Sequence, residues 1–286
     1  MPNFEELFNI FLVPQHHQPA FPKPKQLAPD LAWLNRVRQD IVTISKTKVG
    51  DALFRSIKYH GIIVTIQPNI PGTCGDGTWP IDDDLHTGNP RLMISQGMSI
   101  WFSPEHHDLG HKCEARYKVF GQLHIESHEV LLHELVHAFR MASFRLDRSV
   151  KATKGFAFYD TREEIYAVLI QGIYASERGT GIRASHTRHF PIDPKLDSSL
   201  EFFRSGSEAF KIVENFCKEN PGFTKMVAEV RTRFNPIRAY YCWRIEAKKM
   251  SLSKLARDRD AVQPVFKDLY EMMRHNLKKY GIASGG

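Results

Sequence analysis

The stretch Glu129-Val-Leu-Leu-His-Glu-Leu-Val-His-Ala-Phe-Arg140 decides how this chain is read. His133 and His137 stand four apart, and Glu134 directly follows the first of them. On an α-helix, residues four apart share a face, with Cβ atoms about 6 Å apart. Two imidazoles on one rigid element can then reach a single zinc ion at about 2.0–2.1 Å each. Glu134 is turned beside such an ion rather than onto it. There a carboxylate can take a proton from a water that the metal polarises and pass it to a leaving amine. Val130, Leu131, Leu132, Leu135, Val136, Ala138 and Phe139 are all uncharged, so the helix is apolar nearly all round and belongs in a core. Buried polar groups without partners are costly. The competing reading, core histidines bonded to nearby backbone, explains less of the pattern than a metal does.

This stretch resembles the extended His-Glu-x-x-His signature of the zincin metallopeptidases, which carries uncharged residues at these flanking places. The resemblance implies an α+β zincin-like fold: a small twisted sheet over the metal-binding helix, with a second helix supplying the third ligand. Arg140 and Ser143 stand where the metzincin branch would need Gly and a third His, so that branch is excluded. A Glu on a following helix is the other solution, and Tyr159-Asp-Thr-Arg-Glu-Glu-Ile-Tyr-Ala-Val-Leu-Ile-Gln171 offers two. Asp160 with Glu163 has the form of a capping box, which leaves Glu164 for the metal; Thr161 with Glu164 would reverse the assignment. The run Glu-Ile-Tyr-Ala-Val-Leu is similar to the third-ligand helix of lethal-factor-like toxin metalloproteases. That resemblance puts the ligand at Glu164 and a close-packing small residue at Ala167, and it implies an oxyanion-stabilising role for Tyr159. Val168 stands where those toxins place an acidic partner for the first histidine, so Glu163, Asp160 or Glu129 is the expected substitute.

With 286 residues, 42% hydrophobic and 25% charged, the chain has material for a sizeable core. No apolar run reaches the roughly 18 residues needed to span a bilayer, and Met1-Pro-Asn-Phe-Glu-Glu-Leu lacks the basic region and cleavage site of a signal peptide. Cys74, Cys113, Cys217 and Cys242 form no C-x-x-C pair, so thiols in a reducing compartment are expected. The net charge of +7 is spread along the chain, without the aromatic–basic interleaving of a nucleic-acid binder.

Residues 1–30 hold six prolines and are expected to form an arm. Helical spacing of Leu34, Val37, Ile41 and Ile44 follows a plausible Asp30 cap, and Val49–Ile57 continues as helix. The β-branched run Gly61–Gln67 predicts a strand, 68–90 a long loop, and 92–94 and 98–102 two further strands. Asp82–Asp84 lack calcium-loop spacing. Zincins align peptide substrates along a sheet edge just before the active-site helix, and residues 98–103 occupy that place in sequence. His106, His107 and His111 follow in a loop that offers a weaker second metal option. His124 and His128 also stand four apart but lack a following Glu. Arg183, His186 and His189 lie in a basic loop that could polarise a substrate carbonyl. Helices are expected near 201–218, 222–234, 250–258 and 261–280.

The expectation is therefore one metallopeptidase domain over 31–286, with a catalytic core at 31–200 and a helical lobe at 201–286. One Zn2+ is held by His133, His137 and Glu164, with Glu134 as base and Tyr159 as oxyanion donor. A protein or peptide is the partner, with no nucleic acid and no membrane span. The proline-rich start without a pro-segment resembles the bacterial effector metalloproteases, which implies synthesis in the cytoplasm and export into a target cell. Two alternatives remain: a zinc-stapled interaction protein without turnover, which would not need Glu134, and a basic nucleic-acid-associated protein, which would not need the apolar flanks.

Overall fold

A computed structural model describes residues 9–13, 31–61, 63–69, 73–80, 97–113, 124–143, 145, 161–183 and 207–249. The chain is mixed α+β, mostly helical, with one small four-stranded mixed sheet among the described residues. It divides into two compact units, Met1–Pro191 and Ile192–Gly286.

In the first unit the sheet order is β1 (Ile10–Leu12), β2 (Val64–Gln67), β4 (Met98–Trp101) and β3 (Gly77–Pro80). β1, β2 and β4 run parallel, whereas β3 pairs antiparallel with β4. Helices α1 (Leu31–Ser45) and α2 (Lys48–Tyr59) connect β1 to β2, as a parallel pair requires a long crossover. Thr47 separates the two helices and caps α2, its hydroxyl accepting from the Gly50 amide at 3.0 Å. Val64 and Ile66 pair with Met98 and Ile100, and all four are fully buried on one face. Thr78 of β3 is paired with Ile100, so it shares that face. Gly97 enters β4 at φ +116°, and a Cβ there would sit 2.6 Å from the Ile63 carbonyl oxygen, so glycine alone fits.

Three expectations are corrected. Part of the proline-rich arm, Ile10–Leu12, is a strand of the sheet. The long loop contains β3, because Gly77–Pro80 takes its hydrogen bonds from β4 rather than from any local pattern. β4 therefore lies between β2 and β3, and β3 stands at the end of the sheet order, so residues 98–101 are not the edge. Residues 82–84 and 92–94 lie outside the described residues.

The His-Glu-x-x-His helix, α3 (Ser127–Ala142), packs against α1, α2, β3, β4 and α4 (Arg162–Arg178). Leu131, Leu132, Leu135, Val136 and Ala138 are wholly inaccessible, as the uncharged flanks required. Helix α4 ends at Gly179, whose φ of +73° is the left-handed conformation that closes a helix, with the Thr180 amide bonding back to Ala175.

In the second unit α5 (Ser207–Glu219), α6 (Pro221–Ala228) and α7 (Pro236–Lys249) enclose Val213, Phe216, Val227, Ile237 and Tyr240. Helix α7 replaces the gap expected after Pro236: that proline opens a helix rather than breaking one, since its missing N–H is free at the first turn. Asn235 caps it, accepting from the Arg238 amide at 2.9 Å. The helices expected at 250–258 and 261–280 lie outside the described residues.

Candidate metal centre

His133 and His137 project from one face of α3, and Glu164 comes from the first turn of α4. Their donors converge. The Nε2 atoms of His133 and His137 are 3.1 Å apart, and Glu164 Oε2 lies 3.0 Å from the first and 3.4 Å from the second. A tetrahedral ion with bonds of about 2.0–2.1 Å places its donors about 3.3 Å apart. The fit is close, and the donor set of two imidazoles and a carboxylate is one that holds divalent metals.

Burial pushes the Glu164 carboxyl up, but hydrogen bonds from the two imidazoles outweigh it and hold the group far below the ordinary carboxylate range. Burial lowers His133 well below an ordinary histidine. Buried His137 is raised instead, because Glu164 and Glu134 stabilise its charged form. An ionised carboxylate and two imidazoles are thus concentrated at one point.

Glu134 is also buried, and desolvation raises its carboxyl above the usual range. Thr78 Oγ1 lies 2.9 Å from both Glu134 Oε2 and the Glu134 carbonyl oxygen, so strand β3 touches this residue directly. A carboxylate with a raised pKa and one fixed hydrogen bond is suited to accept a proton.

The neighbouring Glu163 faces elsewhere. It makes a two-pronged ion pair with Arg140, Nε to Oε2 at 2.9 Å and Nη2 to Oε1 at 2.7 Å, with both side chains almost wholly buried. The helix cap is Thr161, whose hydroxyl accepts from the Glu164 amide at 3.4 Å. Capping thus uses the backbone of Glu164 and leaves its carboxylate for the imidazoles. The Glu163 carboxylate is taken by Arg140 and the cap is Thr161, so the capping-box form of Asp160 with Glu163 carried no information about the metal.

None of the substitutes expected behind His133 is found there among the described residues. Glu163 serves Arg140, and Glu129 accepts from the Thr180 hydroxyl at 3.0 Å. The partner is Arg183, whose Nη2 lies 2.9 Å from His133 Nδ1. Arg183 is buried and backs the histidine. Arginine only donates, so His133 Nδ1 accepts and Nε2 carries the proton toward Glu164. No spacing rule would have found this pair, 50 residues apart. His128 is a satisfied core residue, bonded to Glu126 at 2.6 Å and to the Tyr174 hydroxyl at 3.0 Å, which removes the His124/His128 pair as a metal site. Tyr159, Asp160, His186 and His189 lie outside the described residues.

Cys74 and Cys113 form a disulfide, against the expectation of four thiols. They are 39 residues apart and meet because β3, just after Cys74, is zipped against β4, which leads into the turn before Cys113. Cys217 and Cys242 are free. No helix among the described residues is long and apolar enough to cross a membrane. No family model matches this chain, and no curated protein or solved structure matches it.

Proposed function

We propose that this chain is a zinc-dependent endopeptidase of the zincin class, with His133, His137 and Glu164 as ligands and Glu134 as general base. The observation that carries the reading is the convergence of two buried imidazoles and one half-buried carboxylate at 3.0–3.4 Å around one point, with a desolvated Glu one residue past the first ligand. When bound, zinc supplies Lewis-acid chemistry, making a water more acidic and polarising a carbonyl. The chain's own residues do the rest. Glu134 takes the proton of the attacking water on its carboxylate and delivers it to the leaving nitrogen. Thr78 holds the Glu134 carboxylate in place through its 2.9 Å contact. Strand β3, at the end of the sheet order and in contact with Glu134, is the element along which an extended peptide adds as a further strand. Export as a bacterial effector rests on the resemblance alone.

The test is metal content by elemental analysis together with cleavage of a proteome-derived peptide library, read by mass spectrometry. Wild type should carry zinc at His133, His137 and Glu164 and cleave. Glu134→Gln should keep that zinc and lose turnover by a factor of at least a hundred. Cleavage that survives Glu134→Gln, or wild type that takes up no metal after reconstitution, would sink the proposal.

A further inference from the structure

The loop that follows β4 carries a second group of metal donors, separate from the first. Donor atoms of His106, His111 and Cys113 all lie within 4.8 Å of one another. Cys113 is bonded to Cys74, which brings a fourth donor to the same point. We propose that Cys74, Cys113, His106 and His111 form a second, structural zinc site that opens when the Cys74–Cys113 disulfide is reduced.

Chemistry and spacing both favour zinc. Two thiolates with two imidazoles are a closed tetrahedral set, which leaves no open position and so belongs to a structural rather than a catalytic ion. Bonds of about 2.3 Å to sulfur and about 2.0–2.1 Å to nitrogen place tetrahedral donors about 3.4–3.8 Å apart. The histidines and Cys113 need to close by about an ångström, within reach of small side-chain rotations. The His106 and His111 rings are already stacked, with centroids 5.2 Å apart. The Cys113 amide donates to His111 Nδ1 at 3.2 Å, which holds that ring beside residue 113 and leaves Nε2 for the metal.

The frame around the four residues is held by other groups as well, and Asn69 Nδ2 lies 3.3 Å from His106 Nδ1, which leaves Nε2 of that ring for the metal. Asp76 accepts from the Ser103 amide at 3.3 Å and from Asn69 Nδ2 at 2.7 Å, and pairs with His107 Nε2 at 2.9 Å. Arg36 of α1 holds Asp108 at 2.6 Å. The scaffold is therefore fixed whichever way the sulfurs are joined.

The exchange balances. Two equivalents of a small thiol reduce the disulfide, giving two cysteine thiols and one external disulfide. Zinc then displaces two protons from the cysteines. The link between Cys74, three residues before β3, and Cys113 is thus kept by a covalent bond in oxidising surroundings and by a metal in reducing ones.

The proposal is independent of the peptidase reading, and cobalt separates the two. The His133/His137/Glu164 site contains no sulfur, so a thiolate-to-cobalt charge-transfer band reports the second site alone. Full-length chain carrying Cys217→Ala and Cys242→Ala is titrated with Co2+ before and after reduction by a phosphine. The band should appear only after reduction, survive His137→Ala, and vanish in Cys113→Ser. His111→Ala, a milder change in a half-buried ring, should weaken Co2+ binding at least tenfold, and it serves if Cys113→Ser does not fold. No band in the folded, reduced chain would overturn the proposal. So would a band unchanged by both Cys113→Ser and His111→Ala.

Discussion

Glu163 and Glu164 are chemically identical neighbours, and the structure assigns them opposite consequences on removal. Glu163→Ala leaves Arg140 charged, almost wholly buried and stripped of its carboxylate. Breaking one side of a buried pair costs about 3–5 kcal/mol. For a unit the size of Met1–Pro191, 1 kcal/mol corresponds to about 2–4 °C in Tm, so the variant should melt roughly 6–20 °C lower. Its zinc affinity at a temperature where it is folded should stay within about threefold of wild type, because Glu163 does not face the imidazoles. Glu164→Ala should behave in the reverse sense, with metal-free Tm within about 4 °C of wild type and zinc affinity reduced by more than a hundredfold. Arg140→Met combined with Glu163→Met should recover most of the lost stability, since an apolar pair of similar size avoids the desolvation cost. Differential scanning calorimetry with and without chelator, paired with competitive zinc titration, reads all four proteins. Zinc lost in Glu163→Ala but kept in Glu164→Ala would refute the assignment. A Glu163→Ala melt within 2 °C of wild type would refute the energetics of the pair.

Glu129, raised to about 7 by burial, binds its proton more tightly in the folded chain than an unfolded Glu at about 4.5. Stability should therefore fall as pH rises from about 4.5 through 7 and then level off. Glu129→Gln, which can still accept from Thr180, should be roughly 3 kcal/mol more stable at pH 8 and unchanged at pH 4, as measured by urea unfolding. Thr78→Val removes a hydrogen bond that lowers the Glu134 pKa; the acid limb of kcat/KM should move to higher pH, seen in a pH–rate profile. Arg183 opposes a proton on His133 Nδ1, the tautomer a metal on Nε2 needs, so Arg183→Gln should tighten zinc about tenfold. A weaker Kd by competitive titration would reverse that reasoning. Reducing the disulfide in the presence of chelator should cost up to about 4 kcal/mol, from the 39-residue separation it closes, visible as a lower Tm.

The helix pair α1 and α2 could be read from spacing because its apolar positions recur at the helical period, and α3 because an uncharged run surrounds His133 and His137 four residues apart. Strand β3 could not. Gly77–Pro80 has no alternation of its own and becomes a strand only by pairing with β4, a relation between distant residues. The same holds for the Cys74–Cys113 bond, whose spacing matches no motif. At the site, His133, Glu134 and His137 are fixed by one helix turn and need no tertiary knowledge. Choosing between Glu163 and Glu164 needed the position of Arg140 on another helix, because both carboxylates open α4 and local capping rules treat them alike. Arg183 behind His133 was invisible for a further reason: the usual partner of a metal-binding histidine is an acceptor, and the chain supplies a donor.

The buried Arg140–Glu163 pair joins α3 to α4 and shares with the apolar packing of those two helices in setting the azimuth of α4 about its own axis. Consecutive helix residues point about 100° apart, so seating Glu163 on Arg140 leaves Glu164 one bearing, and that bearing meets the imidazoles. Angular register is thus set by contacts between the helices and not by the chain that connects them. Insertions or deletions between Arg145 and Thr161 can change that connection's length without turning the third donor away from the other two.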